Sequence, residues 1–153
     1  MSIVFHEKNR TFHLFNDKIS YIMAVLPNGQ MGQLYFGKRI HQREDYSYLL
    51  EMMARPMGSY VFESDRTLSL EHVKQEYGVY GSTDYRCPAV EILQENGSRI
   101  SDFCYKSHTV SGGKPKLKGL PATYTESDSE AETLTLVLED RVTGIELELL
   151  YTL

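Results

Sequence analysis

The sequence predicts an all-β, mainly antiparallel protein built as a β-sandwich with one or two short helices. Near the carboxyl end, "TLTLVLED" and "TGIELELLYTL" alternate apolar and polar residues, a pattern typical of half-buried strands. Turn-forming residues recur along much of the chain at intervals of roughly eight to twelve residues, which favours a sandwich of about seven strands. The length of 153 residues fits a single domain, residues 1–153.

The first predicted element is a three-stranded meander. The apolar segments "TFHLFN", "KISYIMAVL" and "QMGQLYFG" are separated by Asn16-Asp17 and by Pro27-Asn28-Gly29. Asparagine, aspartate, proline and glycine are the residues that chain reversals favour. The three segments are therefore expected to pair as successive antiparallel strands.

A long excursion, residues 38–88, follows the meander. Within it, apolar residues occur at helical spacing in two segments, "DYSYLLEMMARP" and "SLEHVKQEYG": Tyr48, Leu49, Met52 and Met53 in the first, and Leu70, Val73 and Tyr77 in the second. Each segment predicts a helix of two or three turns at most, or irregular loop held by its apolar residues. Excursions of this length in compact domains are usually functional, disordered or oligomeric.

The excursion returns through "QEYGVYGSTDYRCPAVEI", residues 75–92. Its tyrosine hydroxyls and Asp84 are expected to be buried and hydrogen-bonded, so that this limb anchors the excursion to the sandwich. Pro88 is expected to open a strand, where its missing N–H costs least. A central hairpin should follow, with its turn at Asn96-Gly97, because these two residues tolerate positive φ.

The last predicted element is a second hairpin. Leu134, Leu136 and Leu138 lie on one face of its first strand, and the second strand alternates in the same way. The short polar link "EDRVTG" joins the two strands. Antiparallel pairing with one buried face is the expected result.

Composition limits the possible partners. The formal charge is −5, with acidic and basic residues interspersed, so neither nucleic acid nor a membrane surface is an expected partner. The start of the chain does not read as a signal peptide, and no segment approaches the length of a membrane span, so the protein is expected to be cytoplasmic. The two cysteines, Cys87 and Cys104, are expected to be reduced and buried.

No catalytic or metal-binding motif stands out. The five histidines show neither HxxH nor HxxxH spacing, and the nucleophile elbow and the glycine-rich phosphate loops are missing. The lysine-rich "SGGKPKLKG" and the acidic "ESDSEAE" are both interpreted as solvated loops. We therefore expect no metal and no cofactor.

Several segments resemble a known family, in order and over almost the whole chain. They are "FHLFNDKISYIMAVLPNGQMGQLYFGK", "SDRTLSLE", "QEYGVYGSTDYRCPAVEI", "ENGSRISDF", "GKPKLKGLPATY" and "EAETLTLVLED". Together they are similar to the amino-terminal region of bacterial α-galactosidases of glycoside hydrolase family 36.

This resemblance implies that the chain is the first part of an amino-terminal β-supersandwich domain, which in such enzymes precedes a catalytic (β/α)8 barrel. It also implies a retaining hydrolase that removes terminal α-1,6-linked galactose from sugars such as melibiose and raffinose. The two catalytic aspartates of such an enzyme belong to the barrel. The parent protein is thus expected to be an enzyme, whereas this chain is expected to have no catalytic residue and no activity alone.

The resemblance also implies a role between subunits. In tetrameric relatives an amino-terminal loop reaches a neighbouring subunit's galactose pocket, and the matching segment here is "YLLEMMARPMGSYVFESDRTLSLE". Arg66 matches a basic residue near that pocket, and its guanidinium offers several donors to sugar hydroxyls. Glu51 falls near the position at which some relatives have an aspartate that accepts hydrogen bonds from galactose hydroxyls. The glutamate side chain is longer by one methylene. Alternatively, Arg66 is a surface residue paired with Asp65 or Glu63.

Two other functions remain open. The chain could be a free-standing carbohydrate-binding module that uses exposed tyrosines to stack on sugars. It could also be a purely structural oligomerisation module with aromatic residues and methionines buried between subunits. The position of the aromatic side chains in residues 46–85, exposed in a row or packed on another chain, distinguishes these alternatives.

Overall fold

The computed structural model describes residues 2–81 and 83–153, and it has eight strands in two antiparallel sheets. The first sheet has the order β1-β2-β3-β4-β5, and the second has the order β6-β7-β8. The strands are β1 (Ser2–His6), β2 (Thr11–Phe15), β3 (Ile19–Val25), β4 (Met31–Lys38), β5 (Lys74–Gln75), β6 (Phe103–Gly112), β7 (Glu132–Asp140) and β8 (Glu146–Thr152). The predicted all-β sandwich is confirmed.

The predicted meander is confirmed as β2, β3 and β4, whose neighbours pair in sequence order. The structure adds β1 on one side and the two-residue β5 on the other. Neither strand was predicted, because β1 is half-buried along its whole length and β5 is too short to show a period.

The main core lies between the two sheets. Cross-strand partners share a face of a sheet, so the pair Phe12 and Met23 points toward the second sheet. Opposite them, Leu134, Leu136 and Leu138 of β7 are almost fully buried in the same cluster. The alternation predicted for β7 and β8 is confirmed, because β7 buries every second residue from Leu134 onward and β8 alternates exposed with half-buried residues.

The outer face of the first sheet is buried as well. His13 of β2 lies opposite Ile22 of β3, and the exposed fraction of both residues is 0%. Thr11 of β2 and Ser20 of β3 are buried as well. The first sheet therefore has protein on both faces, and the layer on the outer face is the excursion.

The predicted central hairpin is wrong, although its turn exists. Gly97 has a φ of 81°, and the Gln94 N–H donates to Ser98 O at 2.9 Å. Beyond this point the side chain of Gln94, not its backbone, bonds to Ile100 O. The backbone ladder therefore stops after one turn, and β6, which begins at Phe103, pairs with β7 instead.

Of the two predicted alternatives for the apolar segments of the excursion, irregular loop is the one observed. Each segment forms only a single 3₁₀ turn, Ser47–Leu49 and Leu70–His72, because their apolar residues pack irregularly against the sheet and do not share one helical face. Two further 3₁₀ turns are Glu7–Asn9 and Asp128–Glu130. Among the described residues, no helix has the length and hydropathy to cross a membrane.

Both described cysteines are free thiols, but only one follows the expectation of burial. Cys104 is buried, whereas Cys87 is exposed. Cys87 lies in the returning limb of the excursion, which follows the surface and leaves a small side chain in solvent.

Candidate functional site

The candidate site is the excursion that covers the outer face of the first sheet. It has a small apolar core of its own, in which Leu68, Leu70 and Val73 are buried against Leu26 at the end of β3. Burial of apolar surface supplies most of the free energy that keeps such a segment on the sheet. The excursion is thus an ordered layer of the protein.

The outgoing limb of the excursion, residues 38–53, lies beside the start of its returning limb, residues 61–88. The Met53 N–H donates to Thr67 O, and the Val61 N–H donates to Leu68 O, both at 3.0 Å. Between these bonds the chain forms a projecting tip, residues 54–60. The side chain of Met57 is fully exposed there, and Met52 and Met53 are about half exposed just before it. The tip therefore presents apolar surface to solvent.

Arg66 is exposed on the returning limb. Its guanidinium carbon lies 4.9 Å from the ring centre of Tyr60, a cation–π contact. The alternative pairing with Asp65 is not observed, because the Asp65 carboxylate accepts hydrogen bonds from the Thr67 N–H and hydroxyl. These bonds lower the pKa of Asp65 below its usual value. Within residues 2–81 and 83–153, Arg66 forms no salt bridge, so its donors are available to a ligand.

Glu51 is exposed on the outgoing limb and pairs with Arg55 in an i,i+4 ion pair. Arg55 also contacts the His72 ring at 3.2 Å. An exposed pair of this kind contributes little to stability, so the Glu51 carboxylate can exchange Arg55 for another donor. Glu51 borders a shallow cleft of about 170 Å³, which is also lined by Gln33 and Lys74.

The two predicted site residues belong to adjacent limbs. Glu51 lies two residues before Met53, and Arg66 immediately precedes Thr67, so the Met53–Thr67 hydrogen bond joins the two limbs that carry them. The side chains of Glu51 and Arg66 make no direct contact. The structure therefore places these two residues on adjacent limbs and does not bring them together.

The returning limb is fastened to both sheets through Glu76. Its carboxylate accepts hydrogen bonds from the Tyr21 hydroxyl of β3, at 2.6 and 2.7 Å, and from the Tyr151 hydroxyl of β8, at 2.6 Å. Gln33 donates to the Tyr21 oxygen at 2.8 Å. Burial raises the pKa of Glu76, although the two phenol donors oppose that shift.

The predicted anchor at Asp84 is confirmed. The Asp84 carboxylate is buried and accepts two hydrogen bonds from the Arg86 guanidinium, at 2.9 and 2.8 Å. Arg86 also donates to Leu70 O and Val73 O, which ties the two halves of the excursion together. The expectation of buried tyrosines is wrong for Tyr80 and Tyr85, because the backbone reverses tightly between them through the bridge of Gly81 and Asp84 and leaves both rings outside.

The exposed aromatic rings do not form a flat row. Tyr80 and Tyr85 meet edge to face, with an angle of 71° between their planes. Tyr60 lies beneath Arg66, and Tyr46 is completely buried. Stacking on the face of a sugar ring requires an accessible planar surface, which this arrangement does not offer over more than one ring.

Two features of the excursion were not predicted from the sequence. Glu76 with its two tyrosines is one, and the buried contact of Tyr46 with His13 is the other. A signal did exist for the first, because Tyr21 and Tyr151 both occupy inward positions of apolar strands, where a phenol hydroxyl needs a partner. In the described part of the chain, no group of three or more histidines, cysteines or acidic residues could hold a metal ion.

Comparison with known proteins gives consistent results. The model of the Glycosyl hydrolase family 36 N-terminal domain matches residues 29–153. Alpha-galactosidase AgaA of Geobacillus stearothermophilus is 41% identical over 152 residues, which are 99% of this chain and 21% of AgaA. This chain thus spans about a fifth of the length of that relative.

Two solved structures share the fold. The alpha-galactosidase of Lactobacillus brevis superposes with a TM-score of 0.93 at 37% identity, and AgaB of Geobacillus stearothermophilus does so with 0.87 at 40% identity. Each comparison covers 99% of this chain and 20% of the solved chain. The chain belongs to glycosyl hydrolase family 36, where it corresponds to the N-terminal domain.

Proposed function

We propose that this chain is the non-catalytic N-terminal part of an α-galactosidase that removes terminal α-1,6-linked galactose from sugars such as melibiose and raffinose. The observation that carries the proposal is the alignment of 99% of the chain with AgaA. A variant of AgaA has been solved in complex with raffinose. We further propose that the two sheets are the first part of a β-supersandwich.

The buried carboxylates support a non-catalytic role. Retaining glycosidases need two carboxyl groups about 5–5.5 Å apart that face the substrate. Here Glu76 is held by two tyrosines and Asp84 by Arg86. Asp140 accepts bonds from the backbone N–H groups of Asp102 and Val142. Each of these carboxylates has a structural partner, so the catalytic pair is expected from a (β/α)8 barrel that this chain does not include.

The test compares the 153-residue chain with a longer protein that includes the barrel. With p-nitrophenyl α-galactoside, the longer protein should release nitrophenol, and the chain alone should match a blank. Turnover by the chain alone, or a longer protein that lacks α-galactosidase activity, would each refute the proposal.

The excursion is proposed to act between subunits of a homo-oligomer, a tetramer in the parent enzyme. Its exposed methionines, Met52, Met53 and Met57, are the kind of apolar surface that subunit interfaces bury. Arg66 would then donate to, and Glu51 accept from, hydroxyls of a galactose bound in the neighbouring subunit. The free thiol of Cys87 at the surface fits a reducing compartment, the cytoplasm.

Arg66→Ala in the longer enzyme tests the contact with sugar. The KM for the galactoside should rise roughly tenfold, because a lost hydrogen bond to a charged donor costs about 1.5 kcal/mol or more. Arg99→Ala is the matched control, since Arg99 is an exposed arginine that pairs with Glu91. Equal kinetics for the two variants would remove Arg66 from the pocket.

A substitution in the tip, residues 54–60, tests its role in oligomer assembly. Met57→Glu should shift the longer enzyme to smaller species in light scattering after size exclusion, because a carboxylate buried in an interface is costly. Val142→Glu is the control, since Val142 is equally exposed but lies in the turn between β7 and β8. An unchanged tetramer with Met57→Glu would exclude the tip from the interface.

A further inference from the structure

A closed polar cluster lies between the excursion and the outer face of the first sheet. The His13 ring contacts the Tyr46 hydroxyl through Nδ1 and the Ser20 hydroxyl through Nε2, both at 2.9 Å. The exposed fraction of all three residues is 0%. A polar group in such a place is tolerated only when its hydrogen bonds are made, and these three side chains make them with one another.

The same hydroxyls hold the backbone of the excursion. The Arg43 N–H donates to the Tyr46 oxygen at 2.9 Å, and the Ile40 N–H donates to the Ser20 oxygen at 3.1 Å. The His41 carbonyl lies 3.3 Å from the Tyr46 oxygen. These bonds attach residues 40–46 to β2 and β3, well before β5, the first strand of the excursion, at residue 74. The segment is also held by a bond from the Arg39 N–H to Lys18 O and by one from the Asn9 side chain to Glu44 O.

A neutral imidazole completes this cluster, because it offers one donor and one acceptor. With the proton on Nδ1, that nitrogen donates to the Tyr46 oxygen, the Tyr46 hydroxyl donates to His41 O, and the Ser20 hydroxyl donates to Nε2. With the proton on Nε2 instead, the Ser20 hydroxyl proton has no acceptor among the described residues. An imidazolium has two donors and no acceptor. Its Nε2 becomes a donor and can no longer accept from Ser20, so the Ser20 hydroxyl proton is left without an acceptor in a site that water does not reach.

The charged groups around His13 also oppose a second proton. From the start of the excursion, the Arg39 guanidinium stacks on Phe15 at 3.8 Å, and Phe15 lies against the His13 ring. From β1, His6 approaches Tyr46. From β3 the neighbours are the uncharged Ser20 and Ile22.

The nearest carboxylate in sequence to Tyr46 is that of Asp45, and it is engaged elsewhere, by the Ser47 N–H and hydroxyl. No carboxylate bonds to His13 among residues 2–81 and 83–153. Burial, followed by Arg39 and His6, lowers the pKa of His13 from 6.5 to about 4.

We propose that His13, Tyr46 and Ser20 form a proton-sensitive latch, which fastens residues 39–50 to the sheet and releases them when the imidazole becomes doubly protonated. The direction of the pH effect follows from the linkage between proton binding and the stability of the closed state. A histidine whose pKa is lowered in the closed state binds protons more readily when the segment is open, so the closed state loses stability as the pH falls below 6.5. Residue 50 leads directly to Glu51, although the latch itself does not depend on the proposed enzymatic activity.

The amides of Ile40 and Arg43 report on the latch, because their acceptors are the latch hydroxyls. Their hydrogen-exchange protection in the 153-residue chain is compared at pH 7.5 and pH 5 after correction for intrinsic exchange. With pKa values of about 4 closed and 6.5 open, protection should fall roughly 30-fold. His13→Gln, which cannot take up a proton, should abolish the change. His41→Gln, an exposed histidine of the same segment, should keep it.

Protection that is unchanged between the two pH values would overturn the latch, and so would a full decrease in His13→Gln. If His13→Gln does not fold, the titration of the wild-type His13 ring by NMR decides. A midpoint near pH 4 that coincides with chemical-shift changes at the Ile40 and Arg43 amides supports the latch. A midpoint near 6.5 without changes at those amides refutes it.

Discussion

The link between Glu76 and the two sheets gives a prediction whose size depends on pH. Tyr151→Phe removes one hydroxyl, the donor that lies 2.6 Å from Glu76 Oε2, and leaves the ring in place. The half-buried Glu76 carboxyl then keeps only the Tyr21 donor, and more of it is ionised at pH 8 than at lower pH. A hydrogen bond to a charged group contributes about 1.5–3 kcal/mol, so the free energy of unfolding should fall by about 2 kcal/mol.

The loss should be smaller in acid. Burial raises the folded-state pKa of Glu76 above its ordinary value of 4.5, so this residue stabilises the fold most below that ordinary value. Its contribution is lost as the pH rises through the raised pKa. Removal of the Tyr151 donor raises the folded-state pKa further and widens that loss at high pH. At pH 5 more of the carboxyl is neutral, and a neutral carboxyl needs the phenol less.

Urea unfolding of wild type and Tyr151→Phe measures the loss of unfolding free energy at pH 5 and at pH 8. At pH 8 the melting temperature should also fall by about 4–8 °C for a chain of this length. Tyr35→Phe is the control, because the Tyr35 hydroxyl donates to the exposed Lys38 carbonyl and its loss should be small at either pH. Equal destabilisation by Tyr151→Phe at the two pH values, or none at pH 8, would refute the proposed role of Glu76.

Two further predictions concern packing and backbone conformation. Leu136→Ala should lower the free energy of unfolding by about 3 kcal/mol, because Leu136 is fully buried between the sheets. Leu150→Ala, at a partly exposed position of β8, should lower it by less than about 1 kcal/mol. Similar losses for the two variants in urea unfolding would contradict the assignment of the core. Gly81→Ala should lower the free energy of unfolding by about 1 kcal/mol more than Gly97→Ala. Gly81 has a φ of 114° and an added Cβ would lie 2.7 Å from Ile100, while Gly97 has open space around it. Equal losses for the two variants would show that the contact with Ile100 is unimportant.

The parts of the fold that the sequence predicted well are those with a single buried face. In β7 and β8 one face is more buried than the other, so the leucines of β7 alternate with less buried residues and Leu147 of β8 lies between two exposed glutamates. In β2 both faces are buried, by the second sheet and by the excursion, so Phe12 and His13 are equally enclosed. Periodicity still located β2, but it could not show that its outer face was covered.

The excursion was the harder part, because nonlocal contacts determine its conformation. The helical spacing of Leu70 and Val73 reflects their burial against Leu26, a residue more than forty positions away, and no helix is needed to achieve it. Likewise, the turn at Asn96-Gly97 forms from local preference, but strand formation around it would require backbone partners that the flanking residues do not have. Glu51 and Arg66 came from family resemblance, and their positions on adjacent limbs became visible only in the structure.

The burial of the first sheet on both faces also has a consequence for the order of folding. Strands β1 to β4 pair with their neighbours along the chain through short connections, so closing these contacts costs little chain entropy. The excursion pairs with β4 through the short strand Lys74–Gln75 and the neighbouring Glu76 N–H, after about 35 intervening residues. We expect the meander to form first and the excursion to dock last. In pulse-labelled hydrogen exchange during refolding, the Ile22 amide should gain protection before those of Ile40 and Arg43, and simultaneous protection would contradict this order.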